Sequence, residues 1–269
     1  MGESPSELHF KWNVDATWEH FSSMVRSEAE ARESRSEVHQ NHYIRSALYF
    51  AIGSIEALLN RQMRQKMKAD GADEDMIYET VRKGGSFAEK AKRWPTLIAG
   101  SPVDLPGKLL DALAEFNRLR GEVTHEKRRD HSLYLELDTV LLNRRLVPTI
   151  AEYIARFMIA KGDSYPYWVH GWNFIGLNGN PEWPMIDNNV QFVYAFQSLG
   201  FRTEPPLMDA LNWERLAMRR LDTFYRIDAD LKKLDYCQRE DTRFPRMPRL
   251  CRRWWDTNHV WQCGKHQGA

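Results

Sequence analysis

Along the first 160 positions apolar residues recur three and four apart, the period of helices that bury one face. An opening helix over residues 15–35 sets Trp18, Phe21, Met24 and Val25 on one side of an otherwise highly charged surface. The widest apolar face runs from Val38 to Met67, where Ile44, Ala47, Leu48, Ala51, Ile52, Ile55, Leu58 and Leu59 align. Gly53 within it implies close packing against a neighbour. A shorter helix from Asp73 to Arg82 leads to Gly84-Gly85. Ser86 then reads as the N-cap of a helix from Phe87 to Ile98, with Glu89 three residues on completing a capping box. Pro95 predicts a kink in it, and Gly100-Ser101-Pro102 its end.

Pro106 suits a helix start, and Leu109, Leu110, Leu113, Phe116 and Leu119 carry the period on towards Arg120. Leu133 to Ala160 predicts one long helix, kinked at Pro148. After Lys161-Gly162-Asp163 the composition turns aromatic and rich in Asn, Gly and Pro, which places a boundary there. The expected organisation is an N-terminal helix over 1–35, a helical domain over 36–162 and a C-terminal extension over 163–269. Within the extension, Tyr165 to Trp183 reads as a loop-rich aromatic unit laid on the helical core, with a ligand pocket left open. Helices follow near Val190–Leu199 and Leu207–Leu234. The fold class is therefore all-α: a helical bundle with a smaller, aromatic-rich extension of helix and loop.

Composition narrows the function classes. Hydrophobic residues at 42% and charged residues at 28% exclude a wholly disordered chain. Lys+Arg (38) and Asp+Glu (37) nearly cancel, so attraction to nucleic acid must come from local clusters. No run approaches the ~18 apolar residues of a membrane span, and the opening residues lack a basic stretch followed by an apolar one. A cytoplasmic protein without a membrane partner is expected. Three cysteines, Cys237, Cys251 and Cys263, argue by their odd number against a disulfide framework. No Gly-rich phosphate loop is present, and no cofactor is expected.

The segment FNRLRGEVTHEKRR, Phe116 to Arg129, holds the candidate chemistry. A guanidinium grips a phosphate with paired, permanently charged donors and stabilises charge developing on it. Imidazole moves protons near neutral pH. Arg120 and His125 are separated by four residues and Arg118 and His125 by six; Lys127, Arg128 and Arg129 form a basic cluster beside them, either an RNA-backbone contact or a solvated turn. The spacing by itself is common, since Arg32 with His39 and Arg253 with His259 also satisfy it. On an unbroken helix five residues rotate by ~140°, which parts Arg120 from His125, whereas seven bring Arg118 and His125 nearly into line. Gly121 offers a point at which the helix breaks. The bland alternative is a salt-bridged helix end.

The succession SALYFAIGSIEALLN, then FAEKAKRWPTLIAG, then LRGEVTHEK ahead of a long helix is similar to the HEPN superfamily, over roughly residues 36–160. That resemblance implies a homodimer, formed across residues 106–130, whose two motifs build one composite ribonuclease site. It implies cleavage without metal and a 2′,3′-cyclic phosphate product. Carried over by position, Arg120 and His125 are the catalytic pair. Glu56 matches the glutamate of the early helix, to orient either of them or to serve dimer packing, and Arg118 is a substitute for Arg120. Gly121 departs from the polar residue, often Asn, that usually follows the motif arginine, which opens the alternative of an inactive module binding RNA or protein. Lys127 stands where one subgroup has a regulatory tyrosine, so nucleotide transfer to that position is not expected. The family further implies a toxin-like or antiviral-defence role, restrained by an antitoxin or other regulatory protein, or by the extension itself.

Near the carboxyl end, Arg243, Arg246, Arg249, Arg252 and Arg253 precede Trp254-Trp255, a composition suited equally to a phosphate chain or to a docking arm. Cys251, His259, Cys263 and His266 are zinc-type side chains, but their spacing does not match the usual paired-ligand pattern, and no metal is expected.

Overall fold

In a computed structural model of the chain, residues 15–125, 132–143, 146–170, 188–198, 201–203 and 209–231 are described. They are all-α, with no strand among them. Ten helices follow in order: α1 Ala16–Glu33, α2 Glu37–Ala69, α3 Glu74–Lys83, α4 Phe87–Ala99, α5 Gly107–His125, α6 Ser132–Asn143, α7 Leu146–Ala160, α8 Asn189–Ser198, α9 Ala210–Ala217 and α10 Leu221–Leu231. A 3-10 turn, Tyr167–His170, lies between α7 and α8.

The apolar stripe of α2 explains the arrangement. Ile44, Leu48, Ile52, Ile55 and Leu59 are buried, and α1, α4, α5, α6 and α7 all pack on this one helix. Asp15 caps α1 by accepting from the amides of Thr17 and Trp18, and its other oxygen pairs with Arg61 of α2 at 2.8 Å. Gly53 is where the two helices close up, because a Cβ there would come within 3.3 Å of the His20 ring.

The α3–α4 hairpin depends on Gly84, where a Cβ would collide with the Trp94 ring and stand 2.7 Å from the Thr80 carbonyl. Ser86 and Glu89 form the expected capping box at the start of α4. α4 continues through Pro95. Proline has no N–H to give the carbonyl of Ala91, four residues back, and the buried Tyr153 hydroxyl of α7 supplies a substitute donor at 2.8 Å.

The stretch from Leu133 to Ala160 is two helices, where the sequence predicted one kinked at Pro148. Pro148 falls in the first turn of α7, where a missing N–H costs no helical hydrogen bond. The neighbouring amide of Val147 is received by a side chain from far away: Glu28 of α1 accepts it at 3.1 Å while holding Arg32 at 2.7 Å. Leu207–Leu234, predicted as one helix, is broken by a turn at 218–219 into α9 and α10.

The described part of the extension joins the same buried cluster. Phe21 meets Trp168 with ring centroids 5.1 Å apart, and the buried His170 ring stacks on Phe192 and Phe224. Burial pushes the Tyr165 hydroxyl beside it well above the usual phenol range. α10 is fastened to α7 by Arg156, 12% exposed, which binds Glu152 at 2.8 Å, Asp104 at 2.8 Å and the Tyr225 hydroxyl at 3.1 Å.

Candidate functional site

The candidate residues lie towards the carboxyl end of α5. Leu109, Leu113, Phe116 and Leu119 anchor this helix in the core. Their stripe fixes which way every other α5 side chain faces. Arg120 lies on the flank towards α2, where its Nη1 stands 3.5 Å from Glu56 Oε2. Two candidate residues 64 positions apart in sequence are thus brought together. At 3.5 Å with both groups partly exposed the pair is loose, so the guanidinium keeps donors for an incoming phosphate.

Arg118 is differently placed. Glu115 holds it with two hydrogen bonds of 2.7 Å, and Glu122 and Glu136 also bind it. The Glu115 hydrogen bonds, followed by those of Glu136 and Glu122, raise its pKa further above an already high value. With three carboxylates around it, Arg118 presents no net positive charge to a phosphate, which removes the geometric advantage of its alignment with His125.

His125 is the last residue of α5 and is exposed. α5 runs unbroken through Gly121, contrary to the expectation that this glycine interrupts it. Arg120 and His125 therefore keep their ~140° separation around the helix. Within one chain Glu56 and Arg120 come together and His125 stays apart. Gly121 itself faces open space, with nothing within 4 Å of a Cβ placed there, and the same holds for Gly107. With the exposed Ala114 midway, these three small residues repeat every seven positions along the outer face of α5. Lys127, Arg128 and Arg129 lie outside the described residues, as do the carboxyl-terminal Arg/Trp stretch and the Cys/His cluster.

No family model, curated protein or solved structure matches this chain.

Among the described residues no group of three or more His, Cys, Asp or Glu is placed to hold a metal ion. No described helix is long and apolar enough to cross a membrane. A cleft of about 210 Å³ lies elsewhere, where Asp15, Arg61, Ile154, Tyr167, Trp168 and Asn189 border it. One feature of α2 escaped the sequence reading. On α2, Arg45 lays its guanidinium over the Tyr134 ring of α6, 5.2 Å from the centroid, and Tyr49 projects one turn further along. The spacing of Arg45, Tyr49 and Glu56 carries the signal, which the stronger apolar stripe of the same helix hides.

Proposed function

We propose that this chain is a metal-independent endoribonuclease of HEPN type, with its active site completed between two copies of the chain. The observation that carries the reading is the approach of Glu56 to Arg120. A carboxylate on an early, core-forming helix beside the motif arginine is one of the arrangements the resemblance implies, the others turning it to His125 or to dimer packing. In this reading Arg120 binds the scissile phosphate and stabilises the charge gathered on it as the 2′-oxygen attacks phosphorus. His125 of one copy takes the 2′-hydroxyl proton, and His125 of the other protonates the departing 5′-oxygen. The products are a 2′,3′-cyclic phosphate and a 5′-hydroxyl end.

The separation of Arg120 from His125 supports the requirement for two copies, since one chain alone does not assemble both groups. The small residues Gly107, Ala114 and Gly121 on the outer face of α5 suit a close approach by a second α5. Such an activity endangers its own cell, so a toxin-like or defence role with a restraining protein partner belongs to the same proposal.

The test is cleavage of a mixed RNA panel by purified protein in EDTA. Loss of cleavage in both Arg120→Ala and His125→Ala, with folding and dimer mass intact, supports the reading; a folded wild-type dimer that leaves every RNA whole counts against it. A second reading, an inactive module that binds RNA or protein, is favoured by the unbroken helix at Gly121. It predicts binding without turnover.

A further inference from the structure

We propose that the outer stripe of α2 is the RNA track of this site, taking single-stranded rather than duplex RNA and leading it to Arg120. The destination of the track rests on the nuclease reading; its chemistry does not. Arg45, Tyr49 and Glu56 are four and seven residues apart, which keeps them on one side of α2 over ~16 Å. Glu56 marks the end of the stripe at Arg120, 3.5 Å away.

Arg45 differs from Arg118, Arg120 and Arg156. Its guanidinium is stacked on Tyr134, its Nε is buried without a hydrogen-bond partner, and no carboxylate among the described residues is within ion-pairing range of it. The stacking orders a planar cation without neutralising it. One turn on, Tyr49 is 56% exposed, so its ring face is open to a stacking partner. A permanent cation beside an exposed ring matches a phosphodiester followed by an unstacked base, and the exposed His42 adds polar surface one turn earlier. A duplex keeps its bases stacked inside and offers Tyr49 nothing to stack on.

The experiment uses the full chain in EDTA with a fluorescein-labelled 12-nucleotide 2′-O-methyl strand, which is not cleaved, alone and as a duplex. Anisotropy should show tighter binding of the single strand. Tyr49→Ala and Arg45→Gln should each weaken it about tenfold. Tyr49→Phe should retain wild-type affinity, which separates loss of stacking from loss of folding. Tyr78→Ala, which removes an exposed tyrosine on α3 that lies beneath Arg82, should change nothing. Unchanged affinity in both α2 variants, equal binding of duplex, no binding of any strand by the wild type, or loss of dimer mass in Tyr49→Ala would each overturn the track; the last would assign the stripe to a second copy. If ring-dependent binding is found but the all-ribose strand is never cut, the track stands and the nuclease reading falls.

Discussion

The hydroxyl of Tyr153 on α7 donates to the carbonyl of Ala91 on α4, the acceptor that Pro95 leaves without its helical donor. Removing the hydroxyl leaves a buried carbonyl unsatisfied, so Tyr153→Phe should lower stability by about 1–3 kcal/mol. Urea unfolding measures this. Restoring an amide with Pro95→Ala in the Tyr153→Phe background should recover part of the loss, and a double-mutant cycle with strong coupling is expected. Additive effects would show that the two residues act separately.

Glu28 gives α7 a cap from α1, 119 residues away in sequence. Glu28→Ala strands the Val147 amide and removes the partner of Arg32, and should cost about 2 kcal/mol; Glu28→Gln keeps an acceptor and should cost less. Hydrogen exchange at Val147 should quicken in the alanine variant, and unchanged exchange would contradict the cap.

Gly121 tests the dimer. In a single chain its Cβ position is open, so Gly121→Ala should stabilise α5 by about 0.5–1 kcal/mol. Gly121→Leu should leave the single chain folded but halve the mass seen by light scattering, if a second α5 packs there. A Gly121→Leu protein of unchanged dimer mass would move the interface off this face.

Acid should loosen the start of α4 before the rest of the bundle. The Ser86 amide, and then its hydroxyl, hold the Glu89 carboxyl below its usual pKa. A depressed carboxylate contributes its stability above the unfolded pKa and loses it as pH falls through the folded one. Stability of the wild type should therefore decline below about pH 4.5 more steeply than that of Glu89→Gln. Parallel pH profiles would exclude the capping box as the cause.

Arg118→Met should leave catalysis intact if Arg120 is the working guanidinium. It strands three neighbouring carboxylates, so a modest loss of stability, about 1 kcal/mol at neutral pH after solvent screening, should shrink on acidification. Lost cleavage at full stability would exchange the roles of the two arginines.

The helices were legible because burial imposes a period on the sequence, and α2, with its stripe from Ile44 to Leu59, was read almost to its ends. The Ser86–Glu89 box was legible because its chemistry is local. Non-local chemistry was not. That Pro148 begins a helix instead of bending one depends on Glu28 in another helix, and no window around Pro148 contains that information. In the site, the resemblance offered Glu56 as a partner for Arg120 or His125 or for dimer packing, and its approach to Arg120 needed the packing of α2 on α5. The capture of Arg118 was partly legible, since Glu115 and Glu122 stand at helical spacing from it, but Glu136 comes from α6.

Both carboxylates that neutralise Arg156, Glu152 and Asp104, belong to the part of the chain before the extension, while α10 contributes the uncharged Tyr225 hydroxyl. Lifting α10 away therefore leaves Arg156 with both of its counterions. The release cost at this joint is that of two charge-assisted hydrogen bonds, from Arg156 to the Tyr225 hydroxyl at 3.1 Å and from that hydroxyl to Glu152 at 2.7 Å, together with the buried apolar surface of Phe224, Ile227 and Leu231, while the ion pairs of Arg156 stay within the bundle beneath.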